Sequence, residues 1–180
     1  PSTMNEMLMA NYLMKNMDDD RMKRWVLSSI ISRTYYHNFV THLLEAHYQR
    51  EVYRIIDKGG SVQAPVLNKL KKETLEKFWG DTVIIDDDAA LTWMRQPHYY
   101  MGLYPYTYSA GLSLATKMAQ MIDEDPAKAE DWINVLKSGG TKSPEELAKV
   151  AGLDINTNDH LIDAINYIGS LVDEAIELSN

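Results

Sequence analysis

Apolar residues recur every three to four positions through most of this chain, the spacing that gives a helix one apolar face. Met7, Leu8, Tyr12 and Leu13 follow it between Met4 and Met17, with Ser2 placed to cap the helix start. Asp18, Asp19 and Asp20 come next, and acidic side chains favour the positive end of a helix dipole. From Arg21 to about Lys58 the pattern continues through Met22, Trp25, Val26, Ile30, Phe39, Leu43, Val52 and Ile56. No proline interrupts it, and Gly59-Gly60 closes it. The spacing predicts one long helix there, more than a small body needs and suited to spanning a larger one.

Further helices are predicted downstream. Val66 to Trp79 stops at Gly80, and Asp86 to Gln96 opens on an acidic cluster. Tyr104 to Ile122 carries Pro105 in its first turn, and Ala127 to Lys137 stops at Gly139-Gly140. Ser143-Pro144-Glu145-Glu146 is a helix start with an N-cap serine, a proline at the first position and a glutamate at the capping-box position. Asn158 to Leu178 is the last amphipathic run. Only Asp81 to Ile85 has strand character, and it is too short to found a sheet. The expected fold is all-α and multi-helical, one helical region over residues 1–180 without an internal repeat.

Composition adds limits. At 45% hydrophobic and 24% charged residues the chain is of globular type. Its net charge of -8 argues against non-specific nucleic-acid binding, which needs a basic footprint. Without cysteine it has neither disulfides nor thiolate metal sites. No run approaches a membrane span and no signal peptide is visible, so a soluble, cytoplasmic protein is expected, with no membrane partner. The chain opens on Pro1 rather than Met, which suggests processing or a piece of something longer.

Candidate chemistry starts with the histidines. His37, His42 and His47 are five apart, a spacing that turns about 140° per step on an α-helix, so they share no face. They do not form the H-E-x-x-H pair of zinc peptidases and are expected to be surface or packing residues, as is His160. His98 sits differently. From Tyr99 to Tyr108 five of the chain's 11 tyrosines fall within ten residues, directly after His98 and together with Gly102 and Pro105. A pure core segment would favour Leu, Ile and Phe, which carry no polar atoms to satisfy. Phenol hydroxyls grouped beside an imidazole can hold a peptide carbonyl and the oxyanion that forms when it is attacked. An aromatic cluster at a helix junction fits the same residues.

The pattern His98-Tyr99-Tyr100, Tyr104, Tyr106, Tyr108, Gly111 resembles the substrate-binding segment of the oligoendopeptidase F family, distant relatives of thimet oligopeptidase. Trp93 and Arg95 upstream fit the same signature, as do Leu136 to Gly140, Pro144, Glu146-Leu147 and Ala151 to Asp154 downstream. Pro1 to Glu6 resembles the stretch that follows the family's third zinc ligand, a glutamate. The family's H-E-x-x-H helix is absent, and the glutamate ligand would fall two positions before Pro1.

The resemblance therefore implies the C-terminal part of a larger zinc metalloendopeptidase that hydrolyses oligopeptides. Zinc would be held in the full-length enzyme and not by this chain, which alone would be inactive. By family position, Tyr106 is implied as the main oxyanion donor and His98 as its companion or as a binder of the peptide backbone. Tyr99 and Tyr104 are weaker substrate-binding candidates. Glu6 is a candidate for orienting a zinc-ligand histidine of the absent helix, or a solvated carboxylate in the first turn. The implied partners are an oligopeptide substrate and the upstream part of the same enzyme. An inert helical module that binds a peptide or protein through its tyrosines is the alternative.

Overall fold

The computed structural model describes residues 1–179. Its regular structure is helical, with no strand among the described residues. The elements are α1 (Ser2–Asn16), α2 (Asp20–Ser29), a π-helical segment (Ile30–Thr41), α3 (His42–Asp57), α4 (Ala64–Trp79), α5 (Tyr104–Glu124), α6 (Ala129–Ser138), α7 (Pro144–Val150) and α8 (Asp159–Glu177). Short 3₁₀ turns cover Gly80–Thr82, Ala89–Arg95, Pro97–Tyr100 and Pro126–Lys128.

Local chemistry accounts for the ends. Asp19 caps α2 by accepting the Arg21 N–H at 2.8 Å. At α7 the capping box forms as expected: Ser143 Oγ accepts the Glu146 N–H, and the Glu146 carboxylate accepts the Ser143 N–H at 2.7 Å. Gly80 and Gly139 end α4 and α6 at φ near 53°, a region that suits glycine. Ser2 does not cap α1. The helix already includes it, and its hydroxyl donates to Glu6 one turn on at 3.3 Å.

Two segments depart from the expected α-helix. Helix continues without a break from Asp20 to Asp57, but Ile30–Thr41 is a π-helix. That stretch holds Ile30, Ile31, Thr34, Tyr35, Tyr36, Phe39, Val40 and Thr41, β-branched and aromatic side chains that lose rotamer freedom in a tight α-turn. The second is Asp86 to Gln96. There the helix is 3₁₀ over Ala89–Arg95, opened by Asp86 Oδ1 accepting the Ala89 N–H at 2.7 Å. Pro97 then forces Gln96 into an extended conformation and ends it.

The chain packs as two compact units, residues 1–39 with 110–180 and residues 40–109. In the first, α1 packs on α2 and α2 on α8, around Met4, Met7, Leu27, Tyr35, Leu112, Met118 and Ala164. The Tyr35 hydroxyl lies 2.7 Å from Thr116 Oγ1, and the Tyr167 hydroxyl donates to Asn11 at 3.1 Å. The α1–α2 pair leaves Met9, Tyr12 and Trp25 each about 60% exposed. The second unit packs α3 on α4 and α4 on the Ala89–Arg95 turn. Besides Ala46, Tyr48 and Ala90 it buries His42, Glu45, Gln49, Lys71, Thr74 and Ser109. An interior this polar holds only if its groups find partners. Those partners lead to His98.

Candidate active site

His98 lies on the Pro97–Tyr100 turn of the second unit, between the Ala89–Arg95 turn and α5. Gly102 at φ 64° folds the chain back so that Pro105 enters the first turn of α5. The His98 ring stacks on Tyr104, centroids 5.2 Å apart and planes 8° apart. Tyr104 in turn meets Tyr108 edge-on at 5.5 Å, with hydroxyls 3.2 Å apart. Tyr108 stacks on the buried His42 of α3 at 4.2 Å. Four rings thus form a row from His98 to His42.

Hydrogen bonding fixes which His98 nitrogen carries the proton. Gln96 Nε2 donates to the Glu45 carboxylate at 2.8 Å, which turns the Gln96 carbonyl oxygen towards His98 Nδ1 at 3.3 Å. An amide oxygen only accepts, so Nδ1 carries the hydrogen. Nε2 of the neutral ring is then a bare acceptor, suited to a peptide N–H.

Tyr99 points the other way, into the interior. Its ring lies 5.2 Å from Tyr48, and Lys71 Nζ donates to its hydroxyl at 3.4 Å. Burial, with the Glu45 charge adding, holds its phenol well above the usual tyrosine range. Burial likewise lowers the Lys71 ammonium, and the Glu45 charge opposes that. Tyr106 stands on another side of α5, because two residues turn the helix by about 200° from Tyr104. It is 54% exposed and lines an apolar pocket of about 560 Å³ with Leu43, Phe78 and Leu103, rimmed by His47, Arg50 and Lys77. Its hydroxyl makes no hydrogen bond among the described residues.

The structure therefore joins His98 to Tyr104, sends Tyr99 inward and sets Tyr106 in a pocket of its own. Glu6 belongs to the first unit, where Ser2 and Thr34 hydroxyls each donate to its carboxylate at 3.3 Å. The sequence pointed to His42 only as a surface or packing residue and to Tyr108 only as part of the tyrosine pattern, not as site residues. Tyr108 lies at i+4 from Tyr104, which signals a shared helix face. Nothing local distinguishes His42 from a packing residue. Among the described residues no three His, Asp or Glu side chains gather to hold a metal. The described residues thus offer no ligand set that fits a zinc ion.

The profile of the Peptidase family M3 matches residues 1–167. The chain belongs to this family. It is 26% identical over 178 residues to "Oligopeptidase PepF" of Bacillus subtilis (strain 168), covering 98% of this chain and 26% of that protein. To the "Oligoendopeptidase F homolog" of Borreliella burgdorferi it is 26% identical, covering 96% of this chain and 29% of the relative. The crystal structure of oligoendopeptidase-F from Enterococcus faecium superposes with a TM-score of 0.90 at 26% identity, over 99% of this chain and 35% of that one. That of a putative peptidase from Chlamydophila abortus superposes with a TM-score of 0.87 at 27% identity, over 98% and 30%. The all-helical fold read from the spacing is thus the fold of an oligoendopeptidase F domain, and the resemblance to that family holds along the whole chain. This chain spans about a quarter to a third of the length of these relatives.

Proposed function

We propose that this chain acts as the C-terminal part of an oligoendopeptidase F-type zinc peptidase, supplying the wall that binds an oligopeptide and steadies the oxyanion. The observation that carries the reading is the state of His98. Its Nδ1 is engaged by Gln96 and its face by Tyr104, so Nε2 is the polar atom left for a ligand. From Nε2 a neutral His98 accepts a substrate backbone N–H and orients the peptide. Tyr106 brings the other part: an exposed phenol that can donate to the scissile carbonyl as negative charge builds on its oxygen. Tyr104 holds the His98 ring in plane. Tyr99 supports the turn from below and meets substrate least. Glu6 is assigned to a histidine outside this chain.

Zinc, which family kinship implies, would be held by residues outside this chain, because no ligand set exists among the described ones. The reading places the whole enzyme in the cytoplasm. No helix of this chain is long and apolar enough to cross a membrane. Relatives named as oligopeptidases support an oligopeptide substrate.

The test is cleavage of a short quenched fluorescent peptide by the full-length protein, with a chelator added and zinc then restored. Cleavage that a chelator abolishes and zinc restores is expected. A full-length protein that binds the peptide without cutting it would favour the interaction-module reading.

A further inference from the structure

Helix α3 turns one face towards the His98 segment, and its buried polar residues sit there one turn apart. Gln49 is 2% exposed, and its Nε2 donates to the backbone carbonyls of Tyr99, at 2.9 Å, and of Gly102. It also lies 3.0 Å from the Tyr53 hydroxyl, one turn further on. Glu45, one turn earlier and 9% exposed, accepts the Gln96 amide that sets the His98 tautomer. One helix face therefore holds the segment on both sides of His98: its side-chain amide at Gln96, its backbone at Tyr99 and Gly102. The Pro97–Tyr100 helix is one 3₁₀ turn with little hydrogen bonding of its own. An apolar side chain in place of Gln49 would fill the space and leave two inward carbonyls without donors.

We infer that Gln49 is a positioning residue for substrate binding by His98, fixing the backbone of the Tyr99–Gly102 turn while Glu45, through Gln96, fixes the imidazole. The inference rests on the peptidase reading of His98. Gln49 touches no substrate in it; its effect passes through the place and orientation of the ring. A shift of about 1 Å in such a group costs roughly 100-fold in rate, so partial loosening should cost about 10- to 100-fold in kcat/KM.

Gln49→Met in the full-length protein keeps length and volume and removes both donors. It should lower kcat/KM by about 10- to 100-fold, divided between kcat and KM as it is for His98→Ala. In the Gln49→Met/His98→Ala double variant the loss should not exceed that of His98→Ala alone, because both act through one ring. Gln96→Leu, a change at a half-exposed side chain, keeps the idea testable where Gln49→Met does not fold. It frees the tautomer and gives up the Glu45 contact while leaving the Gln49 contacts in place, and it should show the same non-additivity. Assays run well below each variant's melting temperature.

Losses that multiply in the double variants would make Gln49 and Gln96 merely structural and overturn the inference. So would wild-type kinetics in both single variants. If the wild-type protein cleaves no peptide at all, the peptidase reading fails and takes this inference with it. That outcome is distinct from an active wild type with unaffected variants.

Discussion

The His98 imidazole lies flat on the Tyr104 ring, 5.2 Å between centroids and 8° between planes, so two side chains separated by a glycine turn act as one surface. The stack and the hydroxyl of Tyr104 can be separated by substitution. Tyr104→Phe keeps the ring and loses only the contact with Tyr108. It should leave peptide cleavage nearly unchanged. Tyr104→Leu removes the stack, and an aromatic pair contributes about 0.5–1.5 kcal/mol beyond its buried area. KM should then rise by about 2- to 10-fold with a smaller change in kcat. Equal effects from the two substitutions would show that the hydroxyl, not the ring, matters.

Helical spacing made most of the fold legible, because it records which face of each element is buried. Gly80, Gly139 and the Ser143–Glu146 capping box gave true boundaries, since their backbone chemistry is local. The π-helix over Ile30–Thr41 was not legible: Tyr35 and Phe39 are buried in it, and their spacing also fits an α-helix. The aromatic segment after His98 could be found in sequence, but its geometry could not. Spacing on α5 separates Tyr104 and Tyr108 from Tyr106. Only tertiary packing shows that Tyr99 faces Tyr48 and that Gln49 and Glu45, 50 and 51 residues from the groups they bind, grip the turn.

Alkaline pH should unfold this protein through its buried phenols. Burial is the main cause raising Tyr35, Tyr48, Tyr99 and Tyr167 above the ordinary tyrosine value, Tyr167 to about 12. The unfolded chain ionises these groups near 10. A folded pKa above the unfolded one contributes stability that is complete below about pH 10 and is lost as pH rises through the folded value. Circular dichroism should therefore hold steady to about pH 10 and fall above it, together with the appearance of tyrosinate absorbance. All phenols titrating near 10 with the helices intact would contradict the burial described.

Metal binding gives a second check on what this chain lacks. The 180-residue chain, purified at neutral pH, should hold no stoichiometric zinc and cleave no peptide. His42 and His47 share α3 while the other histidines lie on different elements, and no three ligating side chains converge among the described residues. Tight zinc binding needs about four donors, three of them protein side chains even in open catalytic sites. Elemental analysis showing one tightly held zinc per chain would overturn this and relocate the metal site.

Tyr106→Phe in the full-length protein is the most direct probe of the proposed oxyanion role. The Tyr106 hydroxyl has no hydrogen-bond partner among the described residues, and its ring lies half-exposed against Leu103 and Phe78. Phenylalanine preserves that packing, so the melting temperature should not move. A donor that meets charge present only in the transition state affects kcat and spares ground-state binding. Loss of one such donor typically costs about 100- to 1000-fold in rate. Steady-state cleavage of a quenched fluorescent peptide should thus show kcat reduced by about that factor, with KM within a few-fold of wild type. His98→Ala provides the contrast: its Nε2 binds the peptide backbone before and during reaction, so KM should rise as well. Near-normal turnover in Tyr106→Phe would remove the oxyanion role from this residue, leaving its pocket a purely apolar surface and shifting the donor to Tyr104.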